Sequence, residues 1–282
     1  DRRSSRELYS TMCLSNGYEG DVIDNMKPEV KVSADEEELV AQLRNYLTEK
    51  LTYLLDQNGT ISIGVSGGSM PKVFSEALLS VAPDLLNWKR IRIFMVDERH
   101  VPRDHEDSNL GAYLQLFPQE LHHVFIPVPI SKQVVHTAQA YEINLRKYLL
   151  PEQLNTYPRF DILFLGAGPD GHTASIFPGK EQLEKITDLN WVSALTDSPK
   201  PPPSRVTITM PCITNAKNVA FILTGANKRE VVRAIHEGDK SIPAAQARPM
   251  NNKLTLFLDE HAAAGVPNRE SSESDSPPPF DT

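Results

Sequence analysis

Five short apolar runs, Ile61–Val65, Ile91–Val96, Phe160–Leu165, Asn218–Thr224 and Leu254–Leu258, are separated by stretches whose apolar residues recur at helical spacing. Runs this short and this continuously apolar read as buried strands, the pattern of a parallel sheet with helices packed on it. The alternation over residues 33 to 264 therefore constrains the chain to one doubly wound α/β domain with a mostly parallel sheet flanked by helices. Arg205–Met210 reads as a further strand, alternating in polarity and with an arginine at its entry.

The helices between the strands carry their own signals. Ser33-Ala34-Asp35-Glu36 matches a capping box, and Leu39, Leu43, Leu47, Leu51 and Leu55 recur every four residues behind it, with Val40 and Leu54 alongside. Further helices are expected over Pro71–Leu79, Thr137–Leu150, Arg229–Glu237 and Pro243–Arg248, with a last turn or two at Asp259–Ala264. Asp107-Ser108-Asn109-Leu110-Gly111 leads into another, with Asn109 as a cap or a ligand contact, capping being the expected role. Residues 1–28 are polar and aperiodic and read as a flexible arm, 29–265 as the folded domain, and 266–282, rich in Ser, Glu, Asp and Pro, as a disordered tail.

At 282 residues the chain can bury a sizeable core. Its net charge of −8, from 29 Lys and Arg against 37 Asp and Glu, argues against nucleic acid as a partner, whereas an anionic small molecule needs only local basic residues. No stretch reaches the roughly 18 apolar residues of a membrane span, and no apolar segment of a secretory signal is visible, so no membrane partner is expected. Cys13 and Cys212 provide neither a disulfide framework nor metal-ligand spacing, which points to a reducing, cytoplasmic setting and to no metal.

Chemistry concentrates where strands end. Phe160–Leu165 runs into Gly166-Ala167-Gly168-Pro169-Asp170-Gly171-His172-Thr173-Ala174-Ser175-Ile176-Phe177-Pro178. In open α/β sheets that place is the ligand crevice, and it holds a carboxylate and an imidazole two positions apart, the groups for acid and base work near neutral pH. Gly-Pro-Asp-Gly is also ordinary turn chemistry. Ile61–Val65 leads through Ser66-Gly67-Gly68-Ser69 into the helix opened by Pro71, an arrangement whose free N–H groups and hydroxyls suit a phosphate, though two glycines with serines also make a plain turn. Gly64-Val65-Ser66-Gly67-Gly68 fits G-x-S-x-G as well, but a nucleophile elbow follows several strands, and here only one strand is read before Ser66. Ile91–Val96 ends in Asp97-Glu98-Arg99-His100, either an ion-pair network or, converging on the same crevice, part of the site. Lys228 stands at a helix start, where it opposes the helix dipole at a small local cost that a bound anion would remove.

Taken together, Ser66–Pro71, Asp97–Val101, the run from Gly166 to Pro178, Asp197-Ser-Pro-Lys-Pro-Pro-Pro-Ser-Arg205-Val-Thr and Leu258-Asp259-Glu260 closely resemble the 6-phosphogluconolactonases, in that family's order. The resemblance implies a fold similar to glucosamine-6-phosphate deaminase and hydrolysis of 6-phospho-D-glucono-1,5-lactone in the pentose phosphate pathway, with no cofactor. It further implies that the phosphate sits on Ser66, Gly67, Gly68 and Ser69 with Arg205 and Lys228. His172 would be the base that activates water, and Asp170 would orient it, tune it or cap the loop. The N–H groups of Gly168 to Gly171, or Arg99, would stabilise the oxyanion, and Asp97 would order Arg99 or a substrate hydroxyl. The deaminases share the phosphate loop and Asp-Gly-His but continue with an acidic residue five positions after the His, and here that position is Phe177. A sugar-phosphate sensor without catalysis is the remaining alternative, against which the retained Asp97, Arg99, Asp170 and His172 weigh.

Overall fold

The computed structural model describes residues 27–57, 59–149, 157–180 and 190–267. The arm expected at 1–28 and the tail expected at 266–282 lie almost entirely outside them. In chain order the strands are β1 (Glu29–Ser33), β2 (Ile61–Val65), β3 (Ile91–Met95), β4 (Asp97–Arg99), β5 (Phe125–Ile126), β6 (Ile162–Leu165), β7 (Val192–Leu195), β8 (Arg205–Ile208), β9 (Val219–Leu223) and β10 (Leu254–Asp259). The helices are α1 (Glu36–Asp56), α2 (Met70–Leu79), α3 (Asn109–Leu116), α4 (Val134–Tyr148), α5 (Met210–Thr214), α6 (Arg229–Glu237), α7 (Pro243–Gln246) and α8 (Glu260–Ala263).

Seven strands form a wholly parallel sheet in the order β1-β10-β9-β6-β2-β3-β5. From β2 the chain steps outward to β3 and β5, then returns to β6 on the other side of β2 and continues to β9 and β10. The winding therefore reverses between β2 and β6, and a crevice opens beyond their carboxyl ends. Both strands are buried along their whole length. Leu43, Leu47 and Leu51 of α1 are fully buried, and Tyr46 from the same helix sets its ring edge-on to Phe164 and Phe257. Each such side chain contributes about 1.5–3 kcal/mol of hydrophobic stabilisation.

A second sheet, β4-β8-β7, is antiparallel throughout. The chain enters it directly from β3 through Val96, whose carbonyl accepts the N–H of Ile208. This small sheet continues from the end of β3 and corrects several expectations. Asp97–Arg99 is a strand in its own right, and Arg205–Ile208 pairs with it rather than joining the parallel sheet; Pro211 then opens α5 where the expected strand continued to Met210. The α1 cap also lies elsewhere than expected. Asp35 accepts the Glu38 N–H at 2.8 Å and Glu38 reaches back to the Ala34 N–H at 2.7 Å, whereas Ser33 closes β1 and is buried. Asn109 is not the α3 cap, because Ser108 Oγ accepts the Gly111 N–H at 3.0 Å.

Candidate active site

The crevice at the switch point has a volume of about 240 Å³ and draws its walls from both sheets. Ser66, Gly67, Gly68 and Ser69 line it from the end of β2, Gly166 to Pro169 and His172 from the end of β6, Asp97 and Arg99 from β4, Arg205 from β8, and Lys228 from the turn before α6. Asp170 reaches it through His172. All ten residues picked out in the sequence thus meet at one place.

The loop after β6 is shaped around the Asp–His pair. His172 Nδ1 and Asp170 Oδ1 are 2.6 Å apart, and an Nδ1–H donated to the carboxylate leaves the Nε2 lone pair as proton acceptor. The turn closes through the Gly168 N–H to His172 O and the Gly171 N–H to Gly168 O, both 2.9 Å. Only glycine fits at 168, since a Cβ there would lie 2.2 Å from Asp170 Oδ1 and from His172 Nδ1. Burial pulls the imidazole below its ordinary pKa with help from Lys200, and the hydrogen bond and charge of Asp170 oppose them. Burial pushes Asp170 up, but His172 and Lys200 outweigh it and hold the carboxyl below its usual range. Phe177 stacks on the imidazole at 4.6 Å between ring centres, so an apolar ring occupies the position where the deaminases carry an acid.

The loop after β2 is held from behind. Tyr113 donates to Ser66 O at 2.6 Å, and Ser66 Oγ accepts the Gly166 N–H at 3.3 Å, tying the two switch-point loops together. Among the described residues the Ser66 hydroxyl makes no hydrogen bond to a histidine or carboxylate, the contact to a base that a nucleophile elbow needs. α2 begins at Met70 with Pro71 in its first turn and no side-chain cap, which leaves N–H groups for an anion.

The cations differ in their freedom. Lys228 Nζ donates to Ala167 O at 2.6 Å, and burial lowers its pKa, with the charge of Lys200 adding to the effect. Its turn is fixed by Asp259, whose carboxylate takes the Gly225 N–H at 2.9 and 3.0 Å and the Ala262 N–H at 2.8 Å; this gives the Leu258-Asp259-Glu260 motif a physical role. Arg205, only 3% exposed, donates Nε to Pro202 O, Nη2 to Lys200 O and Pro201 O, and Nη1 to Ser175 Oγ at 3.4 Å. Arg99 faces Arg205 across the β4–β8 pair, and its Nε is buried with no acceptor among the described residues, a donor suited to a bound anion or oxyanion. Asp97 accepts the Ser175 hydroxyl at 2.7 Å.

Lys200 and Ser175 also reach this site without having been singled out in the sequence. The signal for Lys200 was its place among prolines, which reads equally as a connector. Among the described residues no group of three His, Cys, Asp or Glu side chains is arranged to hold a metal, and no helix is long and apolar enough to cross a membrane.

Comparison with known proteins agrees with this architecture. The family described as glucosamine-6-phosphate isomerases/6-phosphogluconolactonase matches residues 34–256. A Caenorhabditis elegans protein provisionally named a 6-phosphogluconolactonase is 69% identical over 96% of this chain and all of its own length. The 6-phosphogluconolactonase of Rattus norvegicus is 36% identical, covering 83% of this chain and 92% of the relative. The solved 6-phosphogluconolactonase of Trypanosoma brucei superposes with a TM-score of 0.72 at 31% identity, covering 86% of this chain and all of that one. The chain belongs to the glucosamine-6-phosphate isomerase/6-phosphogluconolactonase family and, with these relatives, to its 6-phosphogluconolactonase branch of lactone hydrolases.

Proposed function

We propose that the chain hydrolyses 6-phospho-D-glucono-1,5-lactone to 6-phospho-D-gluconate, in the cytoplasm and within the pentose phosphate pathway, by water attack assisted by His172. The observation that carries this reading is the Asp170–His172 pair sharing one crevice with the Ser66–Ser69 loop and Lys228. A δ-lactone is an activated ester and needs no covalent nucleophile. Water oxygen adds to the lactone carbonyl as His172 Nε2 takes its proton, and the carbonyl π electrons move to oxygen. When the tetrahedral adduct collapses, the bond from the carbonyl carbon to the ring oxygen breaks and the imidazolium returns the proton to that oxygen, which becomes a hydroxyl. The Gly168 and Gly171 N–H groups, expected as oxyanion donors, are spent in closing their own turn and Pro169 has none, so Arg99, whose buried Nε has no acceptor among the described residues, stabilises the oxyanion; one such donor is typically worth about 3–4 kcal/mol. The phosphate, held by the loop and Lys228, acts as a remote handle that places the carbonyl. Phe177 disfavours ring-opening of an amino sugar, because it supplies no carboxylate to work with His172.

The test is the disappearance of freshly made lactone, with the spontaneous rate subtracted, for the wild type beside His172→Asn. General base catalysis typically contributes about 10²–10⁴-fold, so kcat should fall at least about a hundredfold with KM little changed. A near-normal kcat would remove His172 from the mechanism, and turnover of glucosamine 6-phosphate in place of the lactone would reverse the assignment.

A further inference from the structure

Lys200 comes from the loop between β7 and β8, yet its Nζ lies 3.4 Å from both Asp170 Oδ1 and His172 Nδ1. The backbone beneath it is fixed with unusual completeness. Arg205 holds the carbonyls of Lys200 and Pro201 at 3.0 Å and that of Pro202 at 3.1 Å, the Ser198 N–H donates to Pro203 O at 3.0 Å, and three successive prolines restrict the rest. Asp197, at the start of the loop, pairs with Lys180. A buried arginine that clasps three carbonyls of its own loop does more than close a connection. It sets the point from which one lysine reaches across the crevice.

The charged groups that act on the imidazole come from three elements: Asp170 from its own loop, Lys200 from the β7–β8 loop and Asp97 from β4. Lys228 is coupled in turn to Lys200 and Asp170. The two aspartates favour the imidazolium, and burial and Lys200 favour the neutral ring. A general base must be neutral when water arrives, and it must give the proton up again when the ring oxygen leaves. An imidazole left to a carboxylate at 2.6 Å is biased toward holding its proton in both steps.

We infer that Lys200 is a positioning residue for the proposed reaction: its ammonium, set against the shared hydrogen bond of Asp170 and His172, keeps Asp170 an ionised, orienting acceptor and His172 a free base at neutral pH. This rests on the reading of His172 as the base. The role is electrostatic, so arginine should serve in its place and an apolar residue of the same length should not.

The experiment compares wild type, Lys200→Met and Lys200→Arg, following the His172 imidazole by NMR titration with its resonances assigned from their loss in His172→Asn. In Lys200→Met the titration midpoint should move to higher pH, and in Lys200→Arg it should stay near the wild type. The acid limb of kcat/KM should move the same way, so that the loss in Lys200→Met is severalfold larger near about pH 5.5 than near about pH 8. An unmoved midpoint overturns the inference. A fall in kcat equal at all pH values also overturns it, since that is the signature of a direct contact with the lactone. Should Lys200→Met fail to fold, Lys200→Gln carries the same titration. The NMR arm needs no substrate, so absent lactone turnover in the wild type would sink the functional reading while leaving this test intact.

Discussion

At the scale of single residues, the crevice divides its cations by what else they hold. Arg205 has three of its donors engaged by loop carbonyls, so replacing it would disturb Lys200 together with any contact Arg205 makes to the proposed phosphate. Lys228 is the cleaner probe. Its ammonium makes one bond to Ala167 O, it is partly buried, and it precedes the first turn of α6, where the helix dipole disfavours a positive charge. A phosphate dianion arriving there satisfies all three conditions at once. Charge-assisted hydrogen bonds are worth about 1.5–3 kcal/mol, and each 1.4 kcal/mol is about tenfold in affinity. Lys228→Met is therefore expected to raise KM for the phosphorylated lactone about tenfold or more, with kcat nearly unchanged, and to leave hydrolysis of unphosphorylated gluconolactone as it is. Steady-state kinetics on the two substrates checks this; equal effects on both would take Lys228 out of phosphate binding.

At the scale of elements, β4 and α3 are joined through one buried carboxylate. Glu98 accepts the N–H groups of Arg99 at 2.8 Å, Asn109 at 2.7 Å and Leu110 at 2.8 Å. With Ser108 doing the capping, Asn109 donates to Asp97 O at 2.9 Å and lies over Gly67, where a Cβ would meet its Oδ1 at 1.8 Å. Burial pushes Glu98 from 4.5 up to about 7, Asp97 adds to the rise, and the three N–H groups oppose it. Because the folded-state value lies above the unfolded one, the stabilisation is complete below about 4.5 and is lost as pH rises through about 7. Relative to Glu98→Gln, which does not ionise, the wild type should lose on the order of 2–3 kcal/mol of stability between about pH 5 and pH 8, measured by urea unfolding. A difference that does not change with pH would mean that Glu98 is ionised throughout. None of this coupling is visible in the one-dimensional pattern, and the reason is physical. α1, β2, β3, β6, β9 and β10 were legible because their own apolar spacing dictates burial. β4, β5 and β7 are two to four residues long and owe their conformation to a partner strand. Likewise Asp170, His172 and the Ser66–Ser69 loop declare themselves by local chemistry, whereas Lys200 acquires its place only from the clasp of Arg205.

At the scale of the whole molecule, the crevice exists because two sheets of different kind meet over one switch point. The parallel sheet supplies the Ser66–Ser69 loop and the Asp–His turn, and the antiparallel sheet supplies Asp97, Arg99, Arg205 and the loop bearing Lys200. The working geometry thus depends on how firmly the small sheet is fastened. One fastening is the continuation of β3 into β4. Another is Glu142 of α4, whose Oε2 accepts the N–H groups of Trp191 at 2.9 Å and Val192 at 3.1 Å, while its Oε1 pairs with Arg146 at 2.6 Å and the Arg146 guanidinium lies 4.2 Å from the centre of the Trp191 ring. Trp191 is fully buried. Glu142→Ala leaves both N–H groups without this acceptor, a loss of about 1–3 kcal/mol for each donor that water does not reach. The cost should fall on the small sheet first, since elements open in separate cooperative units. Hydrogen exchange is then expected to show amide protection in β7 and β8 falling about ten- to a hundredfold while β2 and β6 keep theirs, with kcat declining as Arg99 and Arg205 lose their register. Uniform loss of protection across both sheets would mean that the two open as one body, and that the catalytic geometry is held by the global fold rather than by this fastening.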